Sequence, residues 1–295
     1  MIQAIVIALI ISWMLDYAQY AITKFNYDNN FNGKGCIESV LNGMALAPMQ
    51  YRVAIPWLYR IFPYYEIIKI FMMAFGLFTM YLMAEIVYGG YGLQTMFITA
   101  LIYVINFQFD YIEQYLELGI WALFVIGVFT GNLYLLFGCI IAGSLNRETT
   151  GFLPLMYLLA TGNVMVTWWL IGCLLGVMAL LRVIYGIKRS YLDDGVFVGQ
   201  EVFKGKNHLS KNITEIKKGL RWFLSPIWYA IFMVVLVCAA IVWGIFPKGL
   251  HYASFVAIPF IIVLLCRAMF REGVRIMLPL SVFIVPFING VLRVN

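Results

Sequence analysis

Long apolar segments recur along this chain, and they constrain its fold more than any other feature. Of its 295 residues 63% are hydrophobic and 12% charged, whereas soluble domains are about 45–50% apolar and about 25% charged. A soluble fold of this length buries about three quarters of its unfolded surface, and the remaining surface would still be apolar. The sequence therefore predicts a protein whose solvent is lipid.

The apolar segments predict an all-α, polytopic transmembrane bundle of about ten helices that forms one domain over residues 1–295. A spanning helix needs about 20 apolar residues, and shorter helices are tolerated where protein surrounds them. We expect the first segment to be a retained helix, because it lacks a basic start and a cleavage site. The predicted helices cover residues 2–22, 67–88, 92–107, 114–130, 132–145, 150–162, 164–185, 226–246, 250–267 and 274–291.

Two polar loops interrupt the bundle. Residues 23–66 combine an Asn-rich turn with an amphipathic stretch over 36–62, which predicts short helices at the membrane interface. Residues 186–225 are rich in Lys and Arg, and apolar side chains share one helical face over 209–223. We expect this stretch to be a membrane-surface helix.

Alternate threading of ten helices places nearly every charge on one side of the membrane. The positive-inside rule would make that face cytoplasmic. We expect it to be extracytoplasmic instead, because arginines that bind phosphate are placed by ligand geometry rather than by insertion bias. The net charge of +6 is carried by loops between spans, so membrane lipid phosphate is the predicted anionic partner and nucleic acid is not.

Acidic residues beside or within the spans are the first candidates for chemistry, because such groups are costly in lipid. Asp28 follows the first span and is able to act as a general base, although an Asp beside Asn and Gly is more often a solvated turn residue. Asp110, Glu113 and Glu117 share one helical face. They suit a second acid, a proton relay or a Mg²⁺ or Mn²⁺ site, or a helix start that complements the macrodipole.

Arginines form the second group of candidates. Arg147 and Glu148 lie between two short apolar segments, where the guanidinium is able to bind phosphate through a bidentate fork or to form a structural ion pair. Glu272 and Arg275 begin the last segment, and Arg52 in the first polar loop completes a possible phosphate-binding cluster.

Other familiar chemistries lack their motifs. The five cysteines and two histidines have no metal-ligand spacing, so we predict no zinc or iron site and no certain cofactor beyond a possible Mg²⁺ or Mn²⁺. Gly-rich phosphate loops and Ser or Cys nucleophile arrangements are absent from the sequence as well.

Taken in order, these motifs resemble the GT-C superfamily of polyprenol-phosphate-dependent integral membrane glycosyltransferases. The resemblance extends from about residue 26 to residue 281, and the chain would be a small member. The motifs that carry it are YDNN with Asp28, APMQYRVAIPWLYR with Arg52, FDYIEQYLELGIW with Asp110, LNRETTGFLPL with Arg147 and Glu148, and FREGVRIMLPL with Glu272 and Arg275.

The resemblance implies an activity and roles for these residues. Asp28 would be the catalytic base, with Asp110 or Glu38 supplying a second carboxylate, and the arginines would bind the phosphate of a polyprenyl-phosphate sugar donor. The site would face away from the cytoplasm, and we expect a multi-pass protein of a bacterial or archaeal cytoplasmic membrane. The chain departs from the family in its short length and its single first-loop Asp, so an inactive member stays open. A transporter or flippase for an anionic lipid or solute is the main alternative, and an assembly subunit is a third.

Overall fold

The computed structural model describes residues 1–26, 33–43, 45, 51–105, 112–186, 196–197, 200–201, 226–243, 248–267 and 278–293. These residues are helical apart from loops and one antiparallel pair of two-residue strands, β1 (Val196–Phe197) and β2 (Gln200–Glu201). Two 3₁₀ helices cover Glu148–Phe152 and Leu278–Leu280. The α-helices are α1 (Ile2–Asn26), α2 (Gly33–Leu41), α3 (Ala54–Ile61), α4 (Tyr65–Val87), α5 (Gly92–Ile105), α6 (Glu113–Thr130), α7 (Leu133–Asn146), α8 (Leu153–Thr161), α9 (Val164–Tyr185), α10 (Pro226–Trp243), α11 (Lys248–Ser254), α12 (Ala257–Arg267) and α13 (Ser281–Arg293).

Four helices, α1, α4, α6 and α9, are long and apolar enough to cross a membrane. They bear out the prediction of a helical membrane protein. The predicted count of about ten spans is not confirmed, because the further apolar stretches found among the described residues, such as Leu133–Asn146 and Ile231–Val242 within α10, have only 10–17 residues. An α-helix rises about 1.5 Å per residue, so such helices are shorter than the roughly 30 Å hydrocarbon core.

Helices α4 and α6 pack closely because glycines lie between them. A Cβ atom added to Gly76 would meet the Tyr103 hydroxyl of α5 and lie 3.0 Å from the Tyr115 carbonyl oxygen of α6, and one added to Gly119 would overlap the Phe75 ring. Small residues allow this approach between helices in lipid, where apolar burial gives little driving force. The matching order of these contacts along both helices makes α4 and α6 parallel, so both begin at the same end of the bundle.

The same Thr-Gly-Asn turn joins α6 to α7 and α8 to α9. Gly131 and Gly162 adopt left-handed φ angles of 67° and 68° and end the first helix of each pair, a conformation that glycine adopts without steric cost. Asn132 and Asn163 then cap the next helix, each accepting a 3.1 Å hydrogen bond from a backbone N–H three residues on. The first of these turns reverses the chain, so the end of α7 lies beside the beginning of α6.

Two predicted helices differ from the structure. Residues 250–267 were expected to form one helix but form α11 and α12, separated at 255–256. Pro259 lacks an N–H and its ring would clash with the carbonyl of Phe255 in a continuous helix, so the chain starts a new helix two residues before the proline. The segment predicted at 150–162 begins as the 3₁₀ helix at Glu148–Phe152 and becomes α8 at Leu153, with Pro154 in its first turn.

The first polar loop contains two short helices, α2 and α3, where the sequence predicted short helices without fixing their number. The apolar side chains of Ile37 and Ile55 pack with Tyr65, Ile68 and Ile112 at the beginning of α4 and α6. This cluster fixes α3 against the end of the bundle. The amphipathic stretch predicted at 209–223 lies outside the described residues.

Candidate functional site

A network of charged residues lies at the end of the bundle where α6 begins and α7 ends. Three separate segments contribute to it. Arg52 lies two residues before α3, Glu117 is in the second turn of α6, and Arg147 joins α7 to the 3₁₀ helix that contains Glu148 and Thr149. The sequence predicted a phosphate-binding cluster of Arg52, Arg147, Glu148, Glu272 and Arg275. The structure brings Arg52, Arg147 and Glu148 together, and the other two lie outside the described residues.

The inner part of the network is a buried ion pair. Arg147 Nη1 lies 2.5 Å from Glu117 Oε2, and the two side chains are 8% and 2% exposed. The hydroxyl of Thr149 donates to the other carboxylate oxygen, Glu117 Oε1. Both oxygens of Glu117 are therefore occupied, which offsets the cost of burying its charge.

The outer part is a bidentate pair between Arg52 and Glu148. Arg52 Nη2 lies 2.5 Å from Glu148 Oε1 and Nε lies 3.1 Å from Oε2, the parallel arrangement that guanidinium forms with carboxylates and phosphates. Burial would raise the pKa of the Glu148 carboxyl, but the charge and hydrogen bonds of Arg52, together with nearby Arg147, lower it to about 2.

The structural ion pair considered for Arg147 and Glu148 is thus found, but with different partners. Arg147 binds Glu117 and Glu148 binds Arg52, although residues 147 and 148 are neighbours in sequence. Arg147 is extended, with φ −156° and ψ 149°, and successive side chains of extended backbone point in opposite directions. The predicted phosphate-binding roles of these residues stay predictions.

Three buried polar atoms around this pair have no hydrogen-bond partner among the described residues. They are Arg147 Nε, Trp121 Nε1 and Asn146 Oδ1, although Asn146 Nδ2 donates to the Glu113 carbonyl oxygen at 2.9 Å. An unsatisfied buried donor or acceptor costs about 1–3 kcal/mol. A bound group that forms hydrogen bonds with such atoms would therefore gain the most binding free energy.

Three aromatic side chains pack together near the next turn of α6. Trp121, one turn beyond Glu117, meets Phe260 edge to face, with ring centroids 5.7 Å apart, and Phe152 meets the same Phe260 at 5.0 Å. Both members of the ion pair are themselves buried. Electrostatic interactions in such surroundings are stronger than in water.

The segment before and within α3 is held over the network by contacts with the end of α9. The Tyr51 hydroxyl donates to the Gly186 carbonyl oxygen at 3.1 Å, and Trp57 Nε1 donates to the Tyr185 hydroxyl at 2.9 Å. The position of Arg52 therefore depends on α9 as well as on Glu148.

A second buried ion pair, between Asp16 of α1 and Lys69 of α4, was missed in the sequence. Asp16 Oδ1 lies 2.7 Å from Lys69 Nζ, and the side chains are 16% and 7% exposed. Both residues lie in candidate membrane-spanning helices, and an ionisable residue within an apolar segment is itself the signal that identifies them. The matching partner is apparent only once α1 and α4 pack together.

Several predicted site residues lie outside the described part of the chain. Those are Asp28, Asp110, Glu272 and Arg275. Within the described part, no group of three or more His, Cys, Asp and Glu side chains is placed to hold a metal. The proposed Mg²⁺ or Mn²⁺ site on Asp110, Glu113 and Glu117 accordingly stays a prediction.

Comparison with known proteins adds no relative. No protein family, curated protein or solved structure matches the chain. The structure itself defines a helical membrane protein with paired charges at one end of its bundle.

Proposed function

We propose that this chain is a multi-pass membrane glycosyltransferase that moves a sugar from a polyprenyl-phosphate donor to an acceptor hydroxyl at the extracytoplasmic face. The observation that carries the proposal is the convergence of Arg52 and Arg147, which come from distant segments, on one small charged network. Two guanidiniums at the end of a lipid-embedded bundle are suited to a phosphate group at the membrane surface.

The proposed reaction inverts the anomeric carbon. Asp28 accepts the proton of the acceptor hydroxyl, the hydroxyl oxygen bonds to the anomeric carbon, and the bond to the phosphate oxygen breaks with its electron pair remaining on the phosphate. Negative charge grows on that oxygen in the transition state, so arginines positioned there lower the barrier. Arg52, Arg147 and Arg275 are the proposed holders of the leaving phosphate, with Glu148 and Glu272 beside them. Asp110 supplies a second catalytic carboxylate.

Glu148 binds Arg52 as a bidentate pair, and the two non-bridging oxygens of the donor's phosphodiester monoanion offer the same bidentate acceptor geometry. The donor is therefore able to take the carboxylate's place on Arg52. Arg147 keeps its inner partner, Glu117, and so stays oriented while the exchange takes place. Both features support a phosphate-binding role without requiring the bundle to rearrange.

A transfer assay in nanodiscs tests this function. Polyprenyl-phosphate sugars are supplied as donors and released polyprenyl phosphate is measured. We expect turnover by the unaltered protein and its loss in Asp28→Asn, because the variant lacks a base. Asp193→Asn, which removes the same charge from the second polar loop, should keep turnover. Equal turnover in Asp28→Asn and the unaltered protein would contradict the role of Asp28.

A proton-coupled transporter of an anionic lipid or solute is the second candidate, and the Asp16–Lys69 pair favours it. Buried ionisable pairs within spans are a feature of proton relays. A transporter should lose transport when Asp16, Glu113 or Glu117 is neutralised, and should be insensitive to Asp28→Asn. A vesicle uptake assay with the same variants separates the two functions.

A further inference from the structure

The unpaired atoms beside Glu117 include two buried N–H donors. Arg147 uses Nη1 to bind Glu117, while its Nε has no partner among the described residues. The indole N–H of Trp121 also has no partner among the described residues, and the Trp121 side chain is fully buried. Because both oxygens of Glu117 already accept hydrogen bonds from Thr149 and Arg147, what this position lacks is an acceptor rather than a cation.

Helix geometry places Trp121 next to the ion pair. Residues four apart lie one above the other on a helix, so Trp121 and Glu117 leave the same face of α6. The 3₁₀ helix at Glu148–Phe152 runs along this face of α6. Its Thr149 contacts Glu117, and its Phe152 shares Phe260 with Trp121. About 6 Å separates residues 117 and 121 along α6, and about 6 Å separates residues 149 and 152 along the 3₁₀ helix.

The geometry points to a buried anion subsite in which the Arg147 Nε–H and the Trp121 indole N–H bind oxygen of a phosphate group, while Glu117 and Thr149 act as positioning residues for Arg147. The inference rests on the proposed function, because it specifies how the donor phosphate is bound. Glu117 holds Nη1 on one side of the guanidinium, and this orientation leaves the Nε edge free for a ligand. Thr149 fixes the Glu117 carboxylate in turn.

The remaining unpaired atom, Asn146 Oδ1, is an acceptor. It suits a hydroxyl group, which the sugar of the donor supplies. A sugar phosphate carries both acceptor oxygens and such a donor, whereas a bare divalent cation would meet two N–H donors at this position.

Binding of radiolabelled phosphate compounds to the full chain in nanodiscs tests the subsite. Inorganic phosphate and a polyprenyl monophosphate are titrated separately. We expect Trp121→Phe, which keeps an aromatic ring but removes the N–H, to weaken binding by about tenfold. Trp169→Phe is the matched control, because Trp169 is 62% exposed on α9, and it should bind as the unaltered protein does.

Variants of Thr149 test the positioning role. Thr149→Val removes the hydroxyl that donates to Glu117 and should weaken binding, while Thr149→Ser keeps the hydroxyl and should restore it. A loss that Thr149→Ser does not restore would assign the effect to packing and overturn the positioning role. Unchanged affinity in both Trp121→Phe and Thr149→Val would overturn the subsite.

The two titrations identify the source of the phosphate. A loss confined to the polyprenyl monophosphate supports a lipid-headgroup site, and an equal loss for inorganic phosphate supports a site for the free ion. The transfer assay separates this inference from the proposed function. Phosphate binding that depends on Trp121 without turnover of any donor would leave the subsite standing and count against the glycosyltransferase. Sugar transfer that is unaffected by Trp121→Phe and Thr149→Val would support the glycosyltransferase and overturn the subsite.

Discussion

At the scale of single residues, two kinds of ion pair differ in what they contribute. Arg52–Glu148 is partly open, with the Glu148 side chain 44% exposed, whereas Asp16–Lys69 is largely enclosed. Exposed pairs contribute about 0–1 kcal/mol. Breaking an enclosed pair by removing one partner costs about 3–5 kcal/mol, because it leaves a buried charge without its counterion.

The Arg52–Glu148 pair gives a pH dependence with a defined sign. The pKa of Glu148 is lowered from the usual 4.5 to about 2, so its contribution to stability is fully present above about pH 4.5 and is lost as the pH falls toward 2. We expect the difference in Tm between the unaltered protein and Glu148→Gln to be constant from pH 7 to pH 5 and to shrink below it. Thermal denaturation in detergent measures this difference, and Glu38→Gln at an exposed position of α2 is the control for loss of one carboxylate at pH 7. A difference that grows on acidification would contradict the assignment.

Breaking the Asp16–Lys69 pair should lower the free energy of unfolding more than breaking the Arg52–Glu148 pair does. Asp16→Asn should lower the free energy of unfolding by about 3–5 kcal/mol, because the buried Lys69 ammonium loses the carboxylate charge that lies 2.7 Å from it. The double variant Asp16→Leu with Lys69→Met should recover most of that loss, since apolar residues of similar size often replace a buried pair at little cost. Equilibrium unfolding in mixed detergent compares the two. Equal stability of Asp16→Asn and the unaltered protein would show that the pair is not enclosed.

At the scale of helices, close packing in lipid depends on where side chains are missing. Gly76 and Gly119 allow α4 and α6 to approach, and the beginning of α6 is thereby held beside the beginning of α4. Because Glu117 is in the second turn of α6, the position of the inner ion pair depends on this contact. The helix interface and the candidate site are therefore coupled through α6.

Gly76→Ala tests this coupling. Its new Cβ would meet the Tyr103 hydroxyl and the backbone carbonyl oxygen of Tyr115, and backbone is not able to move aside cheaply. We expect destabilisation of about 1–3 kcal/mol, measured as a fall in Tm. Gly138→Ala in α7 is the control, because nothing lies within 4 Å of its Cβ position, and it should leave Tm unchanged or slightly raised. Equal Tm values for the two variants would contradict the close α4–α6 contact.

At the scale of the whole molecule, the helical class followed from apolar segments, but the number of spans did not. Periodicity and hydropathy identify an apolar helix without fixing whether 14 residues such as those of α7 cross the membrane or end within it. Pro259 itself predicts the break before it, because proline does not fit the interior of a helix. The segment order does predict that Arg52, Arg147 and Glu148 share one side. It does not predict which carboxylate each arginine binds, because pairing is set by tertiary packing.

Membrane orientation is testable on the same scale. Tyr64 lies at the charged end of the bundle and Tyr134 at the opposite end, and their side chains are 57% and 93% exposed. On a cysteine-free background, Tyr64→Cys should react with a membrane-impermeant thiol reagent applied from outside the cell. Tyr134→Cys should react only after the membrane is permeabilised. The reverse pattern would place the charged face in the cytoplasm and count against an extracytoplasmic site.

The most direct test of the central claim is turnover of a polyprenyl-phosphate sugar in nanodiscs by the unaltered protein, Arg147→Ala and Arg182→Ala. Arg147 is in the charged network, whereas Arg182 is an exposed arginine in the last turn of α9, so each variant loses one positive charge. If Arg147 stabilises the leaving phosphate, we expect Arg147→Ala to lower kcat by about 10²–10³ and Arg182→Ala to leave it unchanged. Turnover that is equal in the two variants, measured at a temperature at which both remain folded, would contradict the account.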